Sequence, residues 1–193
     1  MTRLILNRFL LLAGVGACAH LLAGCVATAP STRLAPFEYT MDKIFPLPSS
    51  GTLRLASEDA QVSISGSDRD DVRIEVHYRI TAAQEQLARF TYRVNAVPVA
   101  GELVVTEERQ AGSRNFAYEA EVHTITIELP RRAHVTVREE DGTCAISGID
   151  GRVQLTMDDG NVHLTNCSGD ITVSIDDGHV TQTNCATLKY ESR

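Results

Sequence analysis

Asp158-Asp159-Gly160-Asn161-Val162 returns eighteen residues later as Asp176-Asp177-Gly178-His179-Val180, and Thr165-Asn166-Cys167 returns as Thr183-Asn184-Cys185. A shorter beat runs underneath. Gly142, Gly151, Gly160, Gly169 and Gly178 stand nine residues apart, and four of them follow an aspartate: Asp141, Asp150, Asp159 and Asp177. Glycine fills 13 of 193 positions, so four further hits at a fixed spacing have a chance of about 10⁻⁵. Asp-Gly is a turn pair, because glycine accepts positive φ and aspartate caps the local backbone. Between the turns, Val153-Gln154-Leu155, Val162-His163-Leu164 and Ile171-Thr172-Val173 alternate apolar and polar residues as half-buried strands do. An eighteen-residue unit made of two nine-residue halves predicts a coil with two strands and two corners. A three-sided coil of the same length needs an apolar period of six, which is absent. One strand per side cannot bury its own apolar face, so such coils must stack.

Upstream, the unit starting at Asp141 matches more loosely, with Gly142, Cys144, Ile146 and Ile149 where the next unit has Gly160, Val162, Leu164 and Cys167. Glu58 to Gly66 echoes Glu140 to Gly148. Leu53–Leu55, Val62–Ile64, Val72–Val76, Thr91–Val97, Leu103–Glu107 and Ala117–Leu129 also alternate. Thr81–Phe90, rich in Ala, Gln, Glu and Leu, is the one stretch that predicts a helix. The expected fold is all-β: a short two-sided parallel β-solenoid with a 9/18-residue repeat over 141–193, extended or capped by upstream strands within one domain, 37–193. The absence of tryptophan and the scarcity of other aromatics predict a core of small β-branched residues.

The N-terminus has a different character. Arg3 and Arg8 precede an apolar stretch from Phe9 to Leu22, too short for a spanning helix of about 20 residues and arranged as a secretory signal. It ends in Leu21-Leu22-Ala23-Gly24-Cys25, which resembles the lipobox of bacterial lipoproteins. That resemblance implies cleavage of residues 1–24, acylation of Cys25 and a membrane anchor through its acyl chains. Val26, a non-aspartate after the cysteine, resembles the sorting signal of Gram-negative lipoproteins destined for the outer membrane. Residues 25–36, small and proline-rich, read as a tether with a reach of roughly 35 Å. Cleavage removes two arginines and no acid, taking the formal charge from −7 to −9. Such an acidic chain lacks the basic stripe a nucleic-acid binder needs and the polybasic face that holds a protein to anionic lipid.

Gly51-Thr52-Leu53, Asp59 to Gly66, Asp68 to Val76, Leu129-Pro130-Arg131-Arg132-Ala133 and the Asp-Gly ladder together resemble the bacterial putative-adhesin β-solenoid family. The resemblance implies a β-solenoid, an envelope location and no assigned catalytic residues.

Several residues are candidates for chemistry. Asp158 is expected to stack on Asp176, and Asp141, Asp159 and Asp177 to form a second file. Like charges at strand spacing repel, so either each aspartate caps its own turn in water or a cation such as calcium, which takes about six to eight oxygen ligands, offsets them. Asp158, Asp159, Asp176 and Asp177 are the metal candidates. Cys167 and Cys185 occupy equivalent coil positions, aligned with Ile149. They are either a disulfide pair, which an export compartment permits, or two small buried hydrophobes. Asn166 and Asn184 are expected to form an amide ladder. His77, His123, His134, His163 and His179 have no ligand spacing and fit solvent-facing strand positions. No nucleophile elbow, phosphate loop or zinc-hydrolase motif is present. The expected role is an envelope binding or structural protein without catalysis, meeting a polar glycan or another envelope protein across a regular face of Asp, Asn, Thr and Ser. The alternatives are a β-helix-type carbohydrate-active enzyme and a calcium-binding envelope module. The strand edge near Leu188-Lys189-Tyr190 would suit a homo-oligomer.

Overall fold

The Asp-Gly corners bend strands without ending them. In the computed structural model, which describes residues 33–112 and 116–192, three strands run unbroken through their corners: β8 (His134–Ser147), β9 (Val153–Thr165) and β10 (Ile171–Thr183). Residues 1–24, Cys25 and the tether as far as residue 32 lie outside the described residues. The chain is otherwise β1 (Leu34–Pro46), β2 (Thr52–Ser57), β3 (Ala60–Ser67), β4 (Asp71–Ala83), α1 (Gln84–Leu87), β5 (Thr91–Val99), β6 (Glu102–Gln110), β7 (Tyr118–Pro130) and β11 (Leu188–Ser192). The fold is all-β.

Burial shows the bend. Val153, Leu155 and Met157 point into the core of β9, and after the corner the inward positions become Val162 and Leu164. The odd interval between Met157 and Val162 shifts the two-residue alternation, so each half of the strand lines a different wall. Parallel pairing keeps an eighteen-residue offset through both halves: Leu155 pairs with Val137 and Val173, and Gly160 with Gly142 and Gly178. Gly160 has φ 134°, and a Cβ there would press into the carbonyl oxygen of Gly142. Only glycine meets both demands at once. Gly151 and Gly169 serve the opposite corner, where the backbone passes close to the turn one offset earlier. There Asp150 N–H donates to Arg131 O at 2.7 Å, Ser168 N–H to Ile149 O at 2.9 Å and Ala186 N–H to Cys167 O at 2.8 Å. Gly142, Gly160 and Gly178 thus stand at one set of corners, and Gly151 and Gly169 at the other.

The upstream strands continue both walls. β2 pairs in parallel with the first half of β8, and β3 with its second half. Ala60, Val62 and Ile64 align with Gly142, Cys144 and Ile146, the register of the Glu58–Gly66 echo. β6 then joins β2, and β7 joins β3, again in parallel. Beyond them pairing turns antiparallel: β5 on β6, β4 on β7, and β1 on β4. The sheet curls until its end strands meet. Tyr39 of β1 packs edge-on against Tyr92 of β5 at 5.1 Å, and Val94 N–H donates to the Tyr39 hydroxyl at 3.3 Å. Phe37, Tyr78, Phe90 and Phe116 complete this aromatic group. The rest of the core is mostly Val, Ile and Leu.

Two expectations change. Helix forms only over Gln84–Leu87, because Thr81–Ala83 are drawn into β4 and pair with Leu34–Pro36 of β1. Ala83 precedes the helix without a side-chain cap bond, so little extends it. The same pairing makes strand of the last three residues of the stretch read as tether.

Candidate functional site

Glu139 stands in β8 at the position that Met157 and Ile175 hold in β9 and β10. It is 1% exposed, a carboxyl in an apolar column. Its neighbour on the other side is Ser57 of β2, whose hydroxyl is hydrogen-bonded to Glu139 Oε2. Ala60 N–H donates to Oε1 at 3.0 Å. Burial raises the Glu139 pKa to about 8, against the lowering effect of those two bonds. The Ser57 hydroxyl and the Ala60 N–H both donate to this carboxyl, so each of its oxygens has a partner inside the core.

A second buried group lies alongside. His123 of β7 approaches Glu107 Oε1 of β6 through Nε2 at 2.6 Å and the Asp59 carbonyl oxygen through Nδ1 at 3.0 Å. Both ring nitrogens face acceptors, which favours the imidazolium. Desolvation lowers the His123 pKa, but the hydrogen bond to Glu107 and the charges of Glu107 and Glu121 outweigh it and the net shift is upward. The Tyr92 hydroxyl also donates to Glu107, and burial next to that carboxylate drives the phenol pKa up. Arg109 sits among acids, with Glu58 at 2.8 Å, Asp59 at 3.3 Å and Glu121 at 3.6 Å. An open depression of about 500 Å³ lies over His123, bordered by Asp59, Gln61, Glu121, Asp141 and Thr143.

The outer surface of the wall formed by β7, β3, β8, β9 and β10 differs in character. Thr126, Ser63, Ala145, His163 and Thr181 form one row across it. Thr124, Gln61, Thr143, Asn161 and His179 form the row before it, and Glu128, Ser65, Ser147, Thr165 and Thr183 the row after. Adjacent positions in a row are about 4.8 Å apart. Hydroxyl, amide and imidazole groups dominate, with Glu128 the sole carboxylate in the three rows.

The sequence candidates are distributed around this frame. Asp141, Asp159 and Asp177 pair in register, and with Asp158 and Asp176 they are exposed. Among the described residues no group of three or more His, Cys, Asp or Glu is placed to hold a metal ion. Asn184 Nδ2 donates to Asn166 Oδ1 at 2.6 Å, the expected ladder. Cys144, Cys167 and Cys185 are free thiols. His123, expected at the surface, is instead 8% exposed. Neither buried group belongs to a recognisable sequence motif. Setting β8, β9 and β10 side by side reveals Glu139, since an acid replaces Met157 and Ile175, but nothing local marks Glu107 or Tyr92 as neighbours of His123.

No family model and no curated protein matches this chain. Among solved structures, it is similar to a putative cell adhesion protein from Clostridium sporogenes, with 10% identity, TM-score 0.45, and coverage of 82% of this chain and 100% of that one. A putative adhesin from Parabacteroides distasonis is similar at 14% identity and TM-score 0.34, over 79% of this chain and 69% of that one. A putative lipid binding protein from the same species is similar at 10% identity and TM-score 0.23, over 76% and 74%.

Proposed function

We propose that this protein is exported, anchored in the outer membrane by acyl chains on Cys25, and built as a short two-sided β-solenoid that binds a polar glycan polymer without catalysis. The observation that carries the binding role is the outer wall of β7, β3, β8, β9 and β10, where hydroxyl and amide side chains repeat in register across five strands. A stiff lattice of donors and acceptors suits a repetitive, hydroxylated partner. Many weak contacts then add up, because the sheet holds them in place before binding. The eighteen-residue offset supports the solenoid, and the lipobox resemblance supports the anchor. Burial supports the absence of catalysis: Glu139 and the Glu107 side chain are 1% and 4% exposed.

Co-sedimentation of the full chain with insoluble envelope polysaccharide tests the binding role. Ser63→Arg, at an exposed position in the middle row, should weaken binding about tenfold or more. Thr136→Arg, on the opposite wall, should leave it unchanged. Equal loss from both, or from Thr136→Arg alone, would refute the assignment of the face. Labelled palmitate should enter the wild type and not Cys25→Ser. The carbohydrate-active-enzyme alternative has one observation in its favour, the convergence of Asp59, Glu121 and Asp141 on the depression over His123. Release of reducing ends from the same polysaccharide, abolished by Glu121→Gln, would replace binding with hydrolysis.

A further inference from the structure

Cys167 and Cys185 repeat one local structure an offset apart. Each follows an asparagine in the left-handed region, Asn166 at φ 54° and Asn184 at φ 52°. Each thiol points back at the carbonyl oxygen two residues earlier, Cys167 Sγ to Thr165 O at 3.5 Å and Cys185 Sγ to Thr183 O at 3.3 Å. The amide bond between Asn166 and Asn184 locks the two corners together immediately before the cysteines, and Ala186 N–H to Cys167 O at 2.8 Å locks them immediately after. Cys167 N–H lies 3.5 Å from Cys185 Sγ, so the second sulfur already rests on the first residue's backbone. Backbones stacked at strand spacing stand about 4.8 Å apart, within the roughly 4.4–6.8 Å that a disulfide spans between Cα atoms.

We propose that Cys167 and Cys185 are an oxidisable pair, closing to a disulfide that clamps the last corner of the sheet to the one before it. Burial assigns the roles. Cys167 is buried, whereas Cys185 is partly exposed and is the sulfur a reagent reaches first. The oxidant is a small disulfide or the disulfide of a thiol oxidoreductase. Cys185 thiolate attacks one sulfur of that disulfide, expelling a thiolate and forming a mixed disulfide. Cys167 thiolate then attacks Cys185 Sγ, expelling the second thiolate. Two protein thiols lose two electrons and two protons, and the reagent is reduced to two thiols. Cys144, within β8 and fully buried, stays reduced. The clamp fixes residues 168–184 and holds β11 against β10, the point where the sheet has an unpaired edge.

The test treats the full reduced chain with oxidised glutathione and follows each cysteine by differential alkylation and peptide mapping. Cys167 and Cys185 should lose alkylation together, and their peptides should be recovered joined and lighter by two hydrogens. Cys167→Ser should trap glutathione on Cys185, while Cys185→Ser should leave Cys167 unmodified. The oxidised wild type should melt roughly 5–10 °C higher than the reduced form, a difference that a dithiol reductant removes. A stable glutathione adduct on Cys185 of the wild type with Cys167 still a thiol would overturn the pairing. So would a joined peptide containing Cys144.

Discussion

Glu139 couples the folded state to protons. In the unfolded chain its carboxyl ionises near 4.5, whereas burial raises the folded value to about 8. Between those limits the folded state holds one more proton, so stability falls as pH rises, by about 1.4 kcal/mol per pH unit while the difference lasts. His123 acts with the same sign. Its raised folded pKa means that its contribution is whole below the unfolded value of 6.5 and is lost as pH climbs through the folded one. Asp42 and Glu102 are held low by hydrogen bonds from Arg73 and Arg54, so their contributions are lost only in stronger acid. Urea unfolding should therefore show stability declining from pH 5 to pH 9. Glu139→Gln keeps an acceptor for Ala60 N–H and cannot ionise, so its curve should be flatter and lie above wild type beyond pH 8. Parallel curves for the two proteins would assign the decline to other groups. Glycines separate the same way: Gly160→Ala meets both unfavourable φ and a carbonyl oxygen and should cost roughly 2–4 kcal/mol. Gly101→Ala, at φ 82° with nothing within 4 Å, should cost about 1 kcal/mol. Of the buried groups, only Glu139 was open to sequence reasoning. Its position relative to Met157 and Ile175 is local information, whereas its contact with Ser57 joins residues far apart in the chain and the meeting of His123 with Glu107 joins strands that do not pair.

Strands differ in how many neighbours secure them. β8 and β9 are paired on both sides, β8 with β2, β3 and β9, and β9 with β8 and β10. β11, β5 and β1 each have one partner, β10, β6 and β4. Hydrogen exchange should rank them accordingly, slowest in β8 and β9 and fastest in β11, followed by β5. Protection of β11 equal to that of β9 would mean that its open edge is covered in solution. The elements that sequence made legible are those whose partner is a repeat of themselves. Val153–Leu155 and Ile171–Val173 announce strand, face and register together, because the neighbour carries the same pattern eighteen residues away. Where pairing turns antiparallel, the partner is not written nearby. The stretch Thr81–Phe90 shows the consequence: its helical composition lost Thr81–Ala83 to pairing with Leu34–Pro36, which no local propensity reports. The corners were legible as turns, but their continuity within the β ladder was not, since Asp-Gly usually interrupts pairing and here glycine lets the backbones approach without a break.

At the scale of the molecule, coordination between the two walls rests on one length. β8, β9 and β10 each run along one wall, turn a corner and continue along the other, paired at an eighteen-residue offset, so a removed stretch of that length should be replaceable by the next. Deleting Val153–Asp170 joins Arg152 directly to Ile171. In that chain β10 meets β8 in the register β9 now has: Val173 reaches Val137, Ile175 reaches the column of Glu139, and Gly178 falls on Gly142. Inward positions remain inward on both walls, and the Gly142 approach remains free of a Cβ. The variant should fold cooperatively with β-type circular dichroism, at a lower urea midpoint because the buried side chains of one unit are gone. Deleting only Val153–Asn161 removes half that length. Val162 would follow Arg152 and run along the wrong wall, with Cys167 falling at the place of Asp158 and Asp176 at the place of Cys167. Hydrogen exchange in that variant should lose protection from residue 153 onward while β1 to β7 keep theirs. If the nine-residue deletion folds as well as the eighteen-residue one, the half-unit is the true period and the two walls are not linked through shared strands.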